Sequence, residues 1–106
     1  MPIAQRIPID ESVLAEFCRT WKIAKLELFG SFLRGDERPD SDIDLLVTYE
    51  PEARWSLLEH VDIENELSDL AGRKVDLVNR LAVESDHSAR RRNAILGSAV
   101  PIYAAL

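Results

Sequence analysis

Asp42 and Asp44 stand two residues apart in Ser41-Asp42-Ile43-Asp44-Leu45-Leu46-Val47, a stretch otherwise composed like a buried strand. Side chains two apart on a strand project from the same face, roughly 6–7 Å from one another. Two carboxylates so placed repel. At about 4 Å and an effective dielectric near 20 the cost is on the order of 4 kcal/mol, and it falls with distance and exposure. A strand accepts such a pair where its face is open to water or where a cation sits between the acids. Asp76 is a third acid, in Lys74-Val75-Asp76-Leu77-Val78, a run otherwise apolar after its lysine. If the two strands are neighbours, three carboxylates converge into a hard-oxygen site suited to Mg²⁺ or Mn²⁺. The competing reading has Asp76 facing solvent at a strand end.

Upstream, Leu28-Phe29-Gly30-Ser31 ends an apolar run in a residue without a side chain. Glycine lets a phosphate approach the backbone, and the N–H groups of the following turn, with the Ser31 hydroxyl, can hold its oxygens. An ordinary Gly-Ser turn reads the same way. Arg34 and Arg38 could bind phosphate, or be solvated surface arginines. Two other phosphate- or metal-binding patterns fail. No Gly-Lys-Ser/Thr tripeptide exists for a Walker loop. Asp40, Asp42 and Asp44 imitate the start of a calcium loop, but Leu45 stands where its glycine is needed and Pro51 where its bidentate glutamate should be.

The elements that must position these residues follow from periodicity. Asp10 reads as an N-cap with Ile9 and Leu14 as a staple, and Val13, Leu14, Phe17, Cys18 and Trp21 mark a helix over 11–21. Lys25 to Phe29 alternates as a half-buried strand with Leu26 and Leu28 inward, and Ser31 to Gly35 leaves room for one helical turn. Arg38 to Ser41 supplies turn chemistry before a strand over 42–49. Ser56 and Glu59 form a capping box for a helix that stops at Gly72, with Leu57, Leu58, Val61, Ile63, Leu67 and Leu70 as its stripe. A strand over 74–78, a helix over 83–96 capped by Ser85, and a strand over 99–103 complete the chain. Pro101 confines that last strand to an edge. The order predicts an α/β (α+β) fold: a small mixed sheet with helices packed on one face.

The bulk properties exclude several classes. At 106 residues the chain is read as a single domain, 1–106, with room for one core and one site. A net charge of −6, with arginines dispersed apart from Arg90–Arg92, argues against a nucleic-acid grip. One cysteine excludes an internal disulfide and a four-cysteine zinc site. The absence of an export signal or a long apolar run predicts a cytoplasmic, non-membrane protein. Cys18, on the first helix's stripe, is read as a core thiol. His60 and His87 are read as surface histidines, Trp21 and Trp55 as packing residues, and Arg90–Arg92 as an exposed helix face.

Taken together, Gly30-Ser31-Phe32-Leu33-Arg34-Gly35, Ser41-Asp42-Ile43-Asp44-Leu45-Leu46-Val47 and Arg73-Lys74-Val75-Asp76-Leu77-Val78 resemble the signature of the nucleotidyltransferase superfamily related to DNA polymerase β. More narrowly, they resemble its minimal nucleotidyltransferase (MNT) branch, and the likeness spans nearly the whole chain. The resemblance implies the nucleotidyltransferase fold, with Asp42, Asp44 and Asp76 as catalytic residues holding two Mg²⁺ ions. It also implies a nucleotide site at Gly30, Ser31, Arg34 and Ser41, ATP as substrate, and transfer of AMP to a hydroxyl. The chain leaves no room for a second-substrate domain, so the acceptor is expected on another protein. Members of this branch pair with a helical HEPN toxin, and the resemblance implies an antitoxin that modifies a toxin tyrosine. The alternatives are an idle antitoxin that neutralises its toxin by binding only, and a small-molecule transferase whose acceptor pocket forms across an oligomer.

Overall fold

The computed structural model describes residues 7–30, 32, 35 and 41–105. The expected turn of helix between Ser31 and Gly35, and Arg38 to Asp40 of the expected polar turn, lie largely outside the described residues. Helix α1 runs over Glu11–Thr20, and Asp10 caps it by accepting from the backbone N–H groups of Ser12 and Val13. Ile9 and Leu14 are both buried in the core, as a staple requires. Strand β1 covers Ile23–Phe29 and β2 Ile43–Tyr49. Helix α2 spans Leu57–Ala71 between the Ser56–Glu59 capping box and Gly72, whose φ of +66° closes the last turn. Strand β3 is Val75–Asn79 and β4 is Val100–Ala104.

The strands form one sheet in the order β3-β2-β1-β4. β1 is antiparallel to β2 and β4, while β2 and β3 are parallel, with α2 as their crossover. Pro101 therefore sits on an edge strand, as its missing N–H demands. Leu14 and Cys18 of α1, and Ile63, Leu67 and Ala71 of α2, pack on one face of the sheet against Leu26, Leu28, Ile43, Leu45, Val47, Val75 and Leu77. The alternation of β2 and β3 thus turns their odd-numbered residues into the core and their even-numbered residues, Asp44 and Asp76 included, to the other face.

Three details depart from the sequence reading. The helix expected over 83–96 is two: α3, Arg80–Glu84, capped by Asn79, and α4, Ala89–Ser98, capped by Ser88. The break has a local cause, since Asp86 Oδ1 accepts from the Ser88 N–H at 2.7 Å and holds a turn that a continuous helix could not contain. The α2 stripe is narrower than its leucines suggest: Ile63, Leu67 and Ala71 are buried, whereas Leu57 and Leu58 are exposed. Glu27, between the inward Leu26 and Leu28, faces the opposite side yet is only 4% exposed. Arg80 donates to its Oε1 and, through Nε, to Glu84 at 3.1 Å, while Lys25 Nζ lies 3.7 Å from Glu27 Oε2. Helices α1 and α2 cover one face as predicted, and α3 reaches the other through Arg80.

Candidate nucleotidyl-transfer site

The register of the parallel pair decides how the acids are placed. Asp44 and Asp76 are direct partners across β2 and β3. Partners in register project from the same face, with their strands about 4.8 Å apart, so these two carboxylates share one patch of the sheet. Neither belongs to the core: Asp44 is half-buried and Asp76 exposed. Asp42 lies two residues before Asp44 and one before the strand begins, its carboxylate 3.9 Å from Lys74 Nζ. The Ile43 N–H donates to the Lys74 carbonyl at 2.9 Å, tying the starts of the two strands together beneath the acids.

Gly30 completes this corner from β1, whose last residue Phe29 pairs with Asp44. Its φ is +80°, and a Cβ built there would overlap the Asp44 carboxylate. Glycine is required at Gly30 on both counts: the backbone is left-handed, and the main chain passes against an acid. Just beyond, Phe32 is buried in the core and the Arg73 guanidinium, two residues before β3, stacks 4.9 Å over its ring. Ser41 is half-buried beside Asp42. Ser31 and Arg34, the other two predicted nucleotide ligands, lie outside the described residues.

Among the described residues, no three His, Cys, Asp or Glu side chains stand close enough together to hold a metal ion. Register brings Asp44 and Asp76 to one place, while Asp42 lies beside Lys74. The donors are nevertheless of the right kind: carboxylate oxygens on neighbouring strand starts, beside backbone cleared of any side chain, suit a hard divalent cation.

Sequence reasoning missed several interactions. His60, read as a surface residue, is half-buried. Its Nε2 donates to the Leu77 carbonyl at 2.8 Å, and its Nδ1 accepts from the Tyr49 hydroxyl at 2.9 Å. Glu64 Oε2 accepts from the Leu77 N–H at 2.7 Å, so α2 secures both backbone groups of one β3 residue. Burial, and secondarily the Glu64 charge, pushes the Tyr49 phenol up to about 12. Other readings agree with the structure. Trp55 donates to the Trp21 carbonyl and packs edge-on to its ring, and Cys18 is fully buried, with its thiol pushed up to about 12 by desolvation. Helix α4 buries no residue, and Arg90 and Arg91 are exposed as read, whereas Arg92 is half-buried and donates to the Asp86 carbonyl at 2.9 Å.

A nucleotidyltransferase domain model matches residues 11–100. The chain belongs to the nucleotidyltransferase domain family. This nucleotidyltransferase domain is 35% identical over 79 residues to the protein adenylyltransferase MntA of Thermococcus cleftensis, covering 71% of this chain and 78% of that one. It is 40% identical over 68 residues to a Methanocaldococcus jannaschii protein provisionally named a protein adenylyltransferase, covering 63% of this chain and 66% of the relative. The chain thus spans just under two-thirds of that relative's length. Its fold superposes with a TM-score of 0.66, at 32% identity, on a structure provisionally described as a minimal nucleotidyltransferase, covering 86% of this chain and 87% of that one. A toxin–antitoxin crystal structure with AMP-PNP shares the fold at a TM-score of 0.60 and 23% identity, covering 92% of this chain and 75% of that one.

Proposed function

We propose that this nucleotidyltransferase domain transfers AMP from ATP to a hydroxyl of a partner protein, a tyrosine of an HEPN-type toxin, and so acts as that toxin's antitoxin. The observation that carries the reading is the in-register pairing of Asp44 with Asp76 beside a glycine that admits no side chain. The MntA relative and the toxin–antitoxin structure with AMP-PNP support the choice of a protein acceptor.

In the reaction, the acceptor oxygen bonds to the α-phosphorus of ATP, the bond from that phosphorus to the β-bridging oxygen breaks, and pyrophosphate leaves. Asp76, the most exposed of the acids, takes the proton of the attacking hydroxyl. Gly30 and Ser31 hold the triphosphate through backbone N–H groups and a hydroxyl, with Arg34 and Ser41 contacting the nucleotide. Mg²⁺ ions held by Asp42, Asp44 and Asp76 would screen the polyphosphate and stabilise charge on the attacking and leaving oxygens. Without a cation, three carboxylates would repel the substrate they are meant to receive.

One observation favours a second reading, an antitoxin that works by contact alone: Asp42 lies in an ion pair with Lys74, and the three acids are not gathered. Incubating the chain with α-labelled ATP, Mg²⁺ and the toxin, and assaying toxin activity in parallel, separates the two. Enzymatic neutralisation predicts label on the toxin, and loss of both label and neutralisation in Asp42→Asn. Neutralisation that persists in Asp42→Asn, with no label in the wild type, establishes contact alone.

A further inference from the structure

A cleft of about 620 Å³ opens at the far end of β2 and β3 from the acids, bounded by Tyr49, Glu50, Trp55, Leu57, His60 and Leu81. From Asp44 to Tyr49 is five strand residues, about 16 Å, so the cleft lies apart from the candidate nucleotide site. The polar groups of its walls are largely engaged within the chain. His60 uses both ring nitrogens, Tyr49 its hydroxyl, Trp55 its indole N–H on the Trp21 carbonyl, and Asn79 its Oδ1 on the Leu81 N–H. What the cleft offers outward is apolar: Leu57 is 77% exposed and Leu81 67%. A polar small molecule would find few free partners here, whereas an apolar side chain would cover two leucines that water now surrounds.

Charge identifies the occupant. The segment 50–72, which forms one side of the cleft and the helix rising from it, holds seven carboxylates against the single Arg54, a balance of −6 that equals that of the whole chain. Two copies of this chain meeting through the cleft would bring like charge onto like. A segment carrying apolar side chains beside lysine or arginine meets the leucines and Glu50, the acid in the cleft's lining, together.

We propose that this cleft is the docking site for the acceptor protein, taking an apolar side chain flanked by basic residues and so holding the partner while its hydroxyl is presented at the acid corner. The inference rests on the reading of a protein acceptor and assigns that partner a surface distinct from the chemistry. Binding of the intact chain to the HEPN-type toxin, by calorimetry at low and high salt, tests it with Leu57→Ser/Leu81→Ser and, as a second variant, Glu50→Lys. The double variant is expected to weaken toxin binding by about tenfold or more, because central apolar contacts dominate such interfaces. Glu50→Lys should weaken it about fivefold at low salt and less at high salt. ATP affinity of the free chain should stay within about twofold in both variants, with the site about 16 Å away. Wild-type affinity in both variants overturns the docking site and leaves the functional reading standing. Failure of the wild type to bind the toxin removes that reading, and this inference with it. A wild-type dimer in sedimentation that the double variant dissolves, with toxin binding unaltered, assigns the cleft to a second copy and also overturns the proposal.

Discussion

The two ends of the β2–β3 pair are built on opposite terms. At the N-terminal end, Asp44 and Asp76 set like charges on one patch of the sheet, Asp44 against Gly30, while Asp42 lies beside Lys74. At the C-terminal end, polar groups are partnered within the chain: His60 with Tyr49 and Leu77, Glu64 with Leu77, Asn79 with Leu81. A fold tolerates electrostatic discomfort where a ligand is to relieve it, and satisfies its polar groups where they hold elements together. Removing a polar group at the first end should therefore cost activity and not stability, and removing one at the second should do the reverse.

Asp76→Asn is the strongest test of that contrast. It is nearly isosteric, and Asp76 is exposed, so no buried group loses a partner. Nucleotidyl transfer should fall by about 10²- to 10⁴-fold, the range of a lost general base. The urea midpoint should stay the same or rise slightly, because one of two neighbouring like charges has gone. A clear loss of stability would mean that Asp76 is a structural residue and that the N-terminal end resembles the other.

The acid corner was legible in the sequence because its residues break a local rule: acids inside apolar strands, and a Gly-Ser where a strand stops. Most strands and helices α1 and α2 were legible because caps and alternation are local signals, as Asp10, Ser56 with Glu59, and Pro101 illustrate. The pairing of Asp44 with Asp76 was not, since β2 and β3 meet only through the α2 crossover, and the sequence posed that pairing as a condition. His60 escaped for the same reason. Its partners are Tyr49, on another strand, and a backbone carbonyl 17 residues away, which no spacing encodes. Glu27 is the sharpest case: an alternating strand predicts solvent at that position, and its burial is made tolerable by Arg80, 53 residues on, together with Lys25.

Glu64→Leu probes the C-terminal end. It leaves the Leu77 N–H without its charged acceptor, and hydrogen bonds of that kind contribute about 1.5–3 kcal/mol. Stability measured by urea unfolding should fall by about that amount. ATP binding at the other end of the sheet should be little changed. An equal loss of ATP affinity would show that the two ends are coupled through β3 and that their division of labour is incomplete.

The smallest effect concerns Tyr49, whose phenol is pushed up to about 12, first by burial and then by Glu64. In the unfolded chain the phenol ionises near 10, so below that pH both states keep the proton and the full contribution is present. As pH rises from about 10 to 12 the unfolded chain releases its proton while the folded chain retains it, and stability falls until the folded phenol also ionises. Tyr49 is only half-buried, so solvent screening limits its share to about 1 kcal/mol. Cys18, raised to about 12 by burial, adds alkaline loss beginning near 9. Tyr49→Phe lowers stability at neutral pH by removing the bond to His60, but its further loss between pH 10 and 12 should be shallower than that of the wild type. Parallel alkaline slopes in urea unfolding would mean that the Tyr49 hydroxyl already shares the solvent of the cleft, and the contrast would then rest on His60 and Glu64 alone.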